Sequence, residues 1–411
     1  MKKINFVLII YMLIFILFQQ SVFAHPQFEL KPPVVECHSC ILMDAKTGTI
    51  LYEKNAYENM EPASTTKIMT AILALENGSL SDTVVTKELP PLVDGTRIYL
   101  EEGERLTLKE MLYAMLLNSA NDAAIAIAEH IGGDMDTFVK MMNQKAKQIG
   151  AKNTNFVNPH GLSEEGHLTN AYDLAVITRY ALNNFPEFNK IISTKSLNIP
   201  WQAENCDRHL VNLNKLLWNY DGADGVKTGY TSSAGQTLVA SATRDGFRLI
   251  AVVLKAQGRN VLWSDAKSLL DYGFENFEIR EIIKDGNFIS SKKIKYGDTV
   301  NIEVNKDFTV VVPKGSPPVT SKISYKSDIK APLKKGDILG EIMFYAGDKS
   351  LGSIKLVSCS DVKRKIYTYW WFWPCLISLC TYAPFRLILS IKQHNRNKKR
   401  VRYVSYIKKY K

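Results

Sequence analysis

Three short clusters hold the residues of this chain that are suited to covalent chemistry. Ser64-Thr65-Thr66-Lys67 sets a hydroxyl and an amine three residues apart, and Ile68, Met69, Ile72 and Leu75 recur behind them at helical spacing. Residues i and i+3 share a helix face, so the lysine stands beside the serine. An ammonium set in a partly buried site loses charge through desolvation, and the neutral amine that results is a base next to a nucleophile. Ser119-Ala120-Asn121 occupies a polar break between two apolar runs, 106–117 and 123–131, where side chains face a cleft. Lys227-Thr228-Gly229 begins a strand, so its lysine and a backbone N–H line an extended peptide.

Each cluster alone carries little information. S-x-x-K recurs at Ser264, Ser290, Ser360 and Ser405, S-x-N at Ser196, and K-T-G at Lys46. Context separates them. Only Ser64 and Lys67 open an apolar helix, with Pro62 just ahead. Lys46-Thr47-Gly48 falls between two strand-like runs within 41–54 and reads as a hairpin turn with a solvated lysine.

The elements that must position these groups follow from periodicity. Helices are expected from about Ser64 to Leu75, Leu106 to Leu117 and Ala123 to Ile131, the last capped by Asp122. From Gly225 the pattern becomes strands, GVKTGYT, QTLVASAT and FRLIAVVLKA, with a turn at Asp245-Gly246, which predicts an antiparallel meander. The first domain, 30–275, is therefore α+β, a helical cluster on an antiparallel sheet. Residues 276–360 alternate apolar and polar positions in short runs and contain no nucleophile–base pair, which predicts a small β-sandwich spacer.

Both ends carry addresses. Residues 1–24 read as an export signal: Lys2 and Lys3, an apolar run from Phe6 to Phe18, and a Val22-Phe23-Ala24 cleavage site. Tyr367 to Phe385 are 19 residues without a charge, opened by Trp370, Trp371 and Trp373, and 367–389 is expected to anchor in a membrane as a spanning helix or a surface-lying one. Ten Lys or Arg and no acidic residue follow from Arg386 to Lys411, which predicts a basic cytoplasmic tail over 390–411 and an exported body on the outer face. The tail with Lys2 and Lys3 accounts for the net charge of +11, leaving about −1 elsewhere, so the composition indicates topology and offers no basic patch for nucleic acid. Cys37-His38-Ser39-Cys40 lacks a partner CxxC and predicts no metal site; on a strand, the two thiols would face opposite ways.

In order and context, Ser64/Lys67, Ser119/Asn121 and Lys227/Thr228/Gly229 resemble the motif set of the D-alanyl-D-alanine carboxypeptidases, low-molecular-mass penicillin-binding proteins of serine peptidase family S11. The segments EPASTTKIMTAILALE (61–76), TNFVNPHGL (154–162), TNAYDLAVI (169–177), DGVKTGYT (224–231) and APLKKGDILG (331–340) extend the resemblance over about 30–360. It implies a β-lactamase/transpeptidase-like catalytic domain, no cofactor, peptidoglycan stem peptides as substrate and β-lactams as acylating inhibitors. It further implies Ser64 as the acylated nucleophile, Lys67 as base, Ser119 and Asn121 as proton relay and substrate contact, and Lys227 and Thr228 at the substrate carboxylate. The Ser64 and Tyr230 N–H groups would form the oxyanion hole, and Arg248 would join the carboxylate site. His160 reads as a brace rather than a base. A β-lactamase or DD-endopeptidase, with Glu164 and Glu165 in a suggestive loop, and a non-catalytic penicillin-sensing or wall-binding module remain alternatives.

Overall fold

The computed structural model describes residues 30–201 and 204–409, so the expected export signal lies outside the described residues. Backbone contacts divide the chain at Glu278/Ile279.

The sheet of the first unit is built from β1 (Ser39–Asp44), β2 (Ile50–Lys54), β3 (Ala223–Thr231), β4 (Gly235–Arg244) and β5 (Phe247–Ala256). Its order is β2-β1-β5-β4-β3, every pair antiparallel. β1 and β2 turn at Gly48 (φ 77°), and β4 and β5 at Asp245-Gly246 (φ 50° and 76°), left-handed positions that a tight hairpin requires. The long Val, Ile, Leu and Ala runs of β1, β4 and β5 are buried because helices cover them. β3 lies at the edge, so one side of its backbone has no strand partner among the described residues.

Six helices hold the cleft against this sheet: α1 (Lys67–Asn77), α2 (Leu108–Leu117), α3 (Asn121–Gly132), α4 (Met135–Ile149), α5 (Ala171–Asn184) and α6 (Pro186–Ser193). The nucleophile region is a 3-10 turn, Ala63–Thr66, running straight into α1, so Ser64 and Lys67 straddle a change of helix type. α2 begins with a reciprocal capping box between Thr107 and Glu110. The core fills the space between α1, α2, α3 and the sheet with Ile68, Ile72, Met111, Leu112, Ile127 and Ile250.

Two local expectations need correction. Asp122 is not the cap of α3, which begins after Ala120. Its fully buried carboxylate instead accepts the N–H groups of Ile98, Leu100 and Ala123 at 2.9–3.2 Å, fastening the 96–100 loop to the helix. The Cys37 and Cys40 thiols do not face opposite ways: β1 starts only at Ser39, and a bend at 37–38 returns Cys37 to Cys40, whose proximity helps push the Cys37 thiol far up.

The second unit is a β-sandwich. One sheet pairs β6 (Phe277–Ile283) with β9 (Phe308–Pro313); the other runs β7 (Phe288–Lys293), β8 (Thr299–Val304), β12 (Lys349–Ser358), β11 (Ile338–Ala346), β10 (Val319–Tyr325). Alternate positions Val300, Ile302, Val304 and Ile342, Phe344 face the core, the period-2 pattern of strands buried on one face. The final helix spans Phe372–Lys409, starting later than expected and continuing through the basic tail. From Phe372 it is long and apolar enough to cross a membrane.

Replacing Asp122 by Ala would leave three buried N–H groups without an acceptor, so we expect a loss of about 2–4 kcal/mol. Denaturant unfolding of the purified protein measures it, and a change below about 0.5 kcal/mol would show that the loop is held by other contacts.

Candidate active site

Ser64 sits where three chain segments meet. Ala63 before it has φ 50°, a turn that costs a non-glycine residue energy and survives only when its surroundings hold it. Two glycines allow that close packing. A Cβ on Gly161 would fall 1.9 Å from Ala63 O, and one on Gly229 would fall 2.7 Å from Ser64 N and 2.4 Å from Thr237 Oγ1. The 158–162 loop is fastened from inside, with Asn158 Oδ1 accepting from Gly161 N (2.7 Å) and Thr70 Oγ1 donating to Pro159 O (2.6 Å). The Thr237 hydroxyl donates to Pro62 O at 3.1 Å, tying β4 to the same turn.

Lys67 is the centre of the arrangement. Its side chain is fully buried, and Nζ lies 2.9 Å from Ser64 Oγ, 2.7 Å from Asn121 Oδ1 and 2.7 Å from His160 O. Burial, followed by the nearby Lys227 ammonium, lowers its pKa well below the ordinary lysine value, against a smaller opposing pull from Asp122. Lys227 is buried as well, and desolvation brings it to about 7; Nζ donates to Thr228 O at 2.9 Å. Each ammonium disfavours the charged form of the other, which adds to the effect of burial on Lys67.

Asn121 presents Oδ1 to Lys67 and donates Nδ2 to Asp94 O at 2.7 Å. It is 4 % exposed, and these two contacts fix its amide against the lysine. Ser119 sits at φ 59° with its side chain on the cleft. The buried ring of His160 accepts the Leu162 N–H on Nδ1, and burial lowers its pKa to about 3; its carbonyl, not its ring, meets Lys67. His167 accepts the Val157 N–H on Nδ1, so Nε2 carries the hydrogen and donates it to Thr66 Oγ1 (2.8 Å), which donates to Ala63 O (2.9 Å).

The cleft encloses about 530 Å³ and brings together Ser64, Ser119, Thr228, Gly229 and Tyr230. Its far wall comes from residues that the sequence reading missed: Asn212, Leu213, Lys215 and Trp218 after the Ser196–Trp201/Cys206–Val211 hairpin, and Arg259, Leu262 and Trp263 at the start of α7 (Arg259–Asn276). A buried ion pair holds that hairpin, Arg208 meeting both Glu104 oxygens at 2.5 and 3.0 Å.

Arg248 is not in the cleft. The meander reverses twice, so Arg248 pairs with Thr243 while Thr228 pairs with Leu238 and through it with Val253. That is five residues along β5, roughly 17 Å away. The Arg248 guanidinium is occupied there, with Nε 3.1 Å from Asp224 Oδ2 and Nη1 donating to Asn189 Oδ1 at 2.8 Å. The cleft has a different arginine, Arg259, whose guanidinium forms no hydrogen bond or ion pair among the described residues. A basic residue just after Gly258, where a strand gives way to a helix, was the available signal. Glu164 is exposed and accepts from Asn158 Nδ2 (3.2 Å), away from the cleft lining.

Comparison with known proteins gives the arrangement its relatives. Residues 26–258 match the D-alanyl-D-alanine carboxypeptidase model of peptidase family S11, and 277–364 match the C-terminal domain of penicillin-binding protein 5. The chain is 38 % identical over 340 residues to the D-alanyl-D-alanine carboxypeptidase DacF of Bacillus subtilis, covering 80 % of this chain and 86 % of that one. It is 35 % identical to DacD of Escherichia coli, covering 82 % and 89 %. Penicillin-binding protein 5 from Haemophilus influenzae superposes with a TM-score of 0.74 at 32 % identity, covering 81 % of this chain and 99 % of that structure. With a cleft of this make-up and relatives matched along both domains, the chain belongs to the S11 family of D-alanyl-D-alanine carboxypeptidases.

Proposed function

We propose that the carboxypeptidase reaction runs through an acyl-enzyme on Ser64, with Lys67 as the base. The observation that carries this reading is a fully buried amine 2.9 Å from the serine hydroxyl, depressed in pKa by that burial. Lys67 Nζ takes the Ser64 proton as Oγ attacks the carbonyl carbon of the penultimate D-alanine. Ser64 N–H and Tyr230 N–H receive the negative charge that develops on the oxygen, a preorganised stabilisation that water would have to rearrange to provide. Collapse breaks the peptide C–N bond; the departing amine of the terminal D-alanine takes a proton passed from Lys67 through Ser119. Water then attacks the ester, Lys67 accepting its proton and handing it to Ser64 Oγ as the acyl–oxygen bond breaks, so that the shortened peptide leaves and the free serine and amine are restored.

The stem peptide binds along the open edge of β3, where unpaired backbone groups accept a further strand. Thr228 and Arg259 hold its terminal carboxylate; a guanidinium with no partner among the described residues suits that task. A β-lactam carbonyl meets the same serine and acylates it. The exposed Glu164, engaged with Asn158, gives no support to a β-lactamase-like deacylating carboxylate. The exported body faces the wall from the outer side of the membrane, and α8 (Phe372–Lys409) anchors it.

Ser64→Ala should abolish both labelled-penicillin attachment and D-alanine release while changing stability by no more than about 1 kcal/mol. Labelling that survived would move the nucleophile elsewhere. Arg259→Ala should slow release from a peptide ending in D-Ala-D-Ala roughly ten- to a hundredfold in kcat/KM, with a much smaller effect on the C-terminally amidated peptide. Arg248→Ala should affect the two peptides equally. A carboxylate-selective loss in Arg248→Ala rather than Arg259→Ala would reverse this assignment.

A further inference from the structure

A second pocket, remote in sequence from the catalytic motifs, lies in the sandwich unit where the chain leaves it for α8. It encloses about 450 Å³ and is lined by Lys293, Lys295, Tyr296, Lys365, Tyr367 and Thr368. The linker is fastened there and does not hang free. Lys365 N donates to Tyr296 O (2.8 Å), and Lys365 Nζ pairs with Asp298 (2.5 Å). The Arg364 guanidinium lies between the Tyr296 and Tyr369 rings, 4.8 and 4.5 Å from their centroids, and donates to Thr368 O (2.7 Å).

Part of its charge and apolar surface faces solvent. Lys293 and Lys295 are exposed and form no salt bridge among the described residues; Lys295 stands 5.2 Å over the Tyr296 ring. Tyr296 adopts φ 66°, an unusual conformation for an aromatic residue, and is 38 % exposed. Beside it Ile366, Tyr367, Trp370 and Trp373 are 59, 50, 86 and 56 % exposed. Aromatic rings with cationic side chains next to the first turn of an apolar helix match the headgroup zone of a bilayer.

We propose that this pocket is a docking site for anionic phospholipid headgroups, which seats the sandwich on the membrane surface beside the entry point of α8. The argument rests on α8 being the membrane segment, whose apolar run begins at Phe372, within five residues of Tyr367. Continuity with that segment and the exposed Lys293 and Lys295 ammonium groups select a lipid phosphate as occupant.

The test uses the full chain in nanodiscs of phosphatidylcholine alone or mixed with phosphatidylglycerol. A membrane-impermeant amine reagent reports each lysine by mass spectrometry. Ser358 pairs with Ile302 on β8, whose first residue Thr299 pairs with Lys293, and Lys349 lies nine residues before Ser358 on β12, roughly 30 Å along the strand, so it is the internal control. We expect Lys293 and Lys295 to react about fivefold more slowly in the anionic discs, with Lys349 unchanged. The K293E/K295E variant should still co-purify with discs, because α8 carries insertion. Failure of the wild type to co-purify would overturn the anchor reading and the docking with it. Co-purification with equal lysine reactivity in the two lipids would overturn the docking alone. Protection by soluble poly(glycerol phosphate) but not by anionic discs would assign the pocket to a wall polymer and overturn it as well.

Discussion

The withdrawal of one amine from water organises this enzyme. Lys67 is buried beside Ser64 with a serine hydroxyl, an asparagine carbonyl and a backbone carbonyl around it and, among the described residues, no carboxylate in contact. The two carbonyls accept the two N–H bonds of a neutral amine whose lone pair takes the Ser64 hydroxyl proton, and all three oxygens can accept from a transient ammonium, while the dry surroundings penalise lasting charge. A paired carboxylate would have stabilised the cation and removed the base. Asp122 comes nearest to that role, yet its oxygens are committed to three backbone N–H groups.

Much of the surrounding structure serves to close that site tightly enough. The 158–162 loop reaches under the nucleophile turn only because position 161 lacks a Cβ, and β3 lies against Ser64 only because position 229 lacks one. Glu61 extends the closure to the rim: one oxygen accepts from Ser163 (2.5 Å) and Ser233 (2.6 Å), so the turn after β3 and the loop below it are clasped to the segment leading into Ser64. Burial acts first on Glu61 by raising its pKa, but those hydroxyl contacts prevail and lower it.

What was legible in the sequence was local. The apolar period behind Ser64, the Gly48 and Asp245-Gly246 turns and the alternation in 276–360 are short-range patterns, and each led to the right element. Long-range placement was not legible. Arg248 was assigned to the cleft because it follows a tight turn, but the turn joins β4 to β5 at the end of the sheet away from Thr228. Trp218 and Lys215 reach the cleft from a segment without motif or period, brought there by tertiary packing, and Arg259 offered only the weak local signal of a basic residue after Gly258. Asp122 resembled a helix cap because caps are local, whereas its partners Ile98 and Leu100 lie more than twenty residues earlier. The cysteine prediction failed for a similar reason: strand alternation was applied two residues before the strand begins.

The central claim, that burial turns Lys67 into a base at neutral pH, is open to direct observation. In protein carrying 13Cε-labelled lysine, the Lys67 resonance, assigned by its disappearance in Lys67→Arg, reports the protonation of Nζ as pH is varied. The account predicts a midpoint well below the ordinary 10.5, with Lys227 titrating near 7. A Lys67 midpoint at or above 10.5 would mean that the amine stays charged beside Ser64, and would contradict its role as the base.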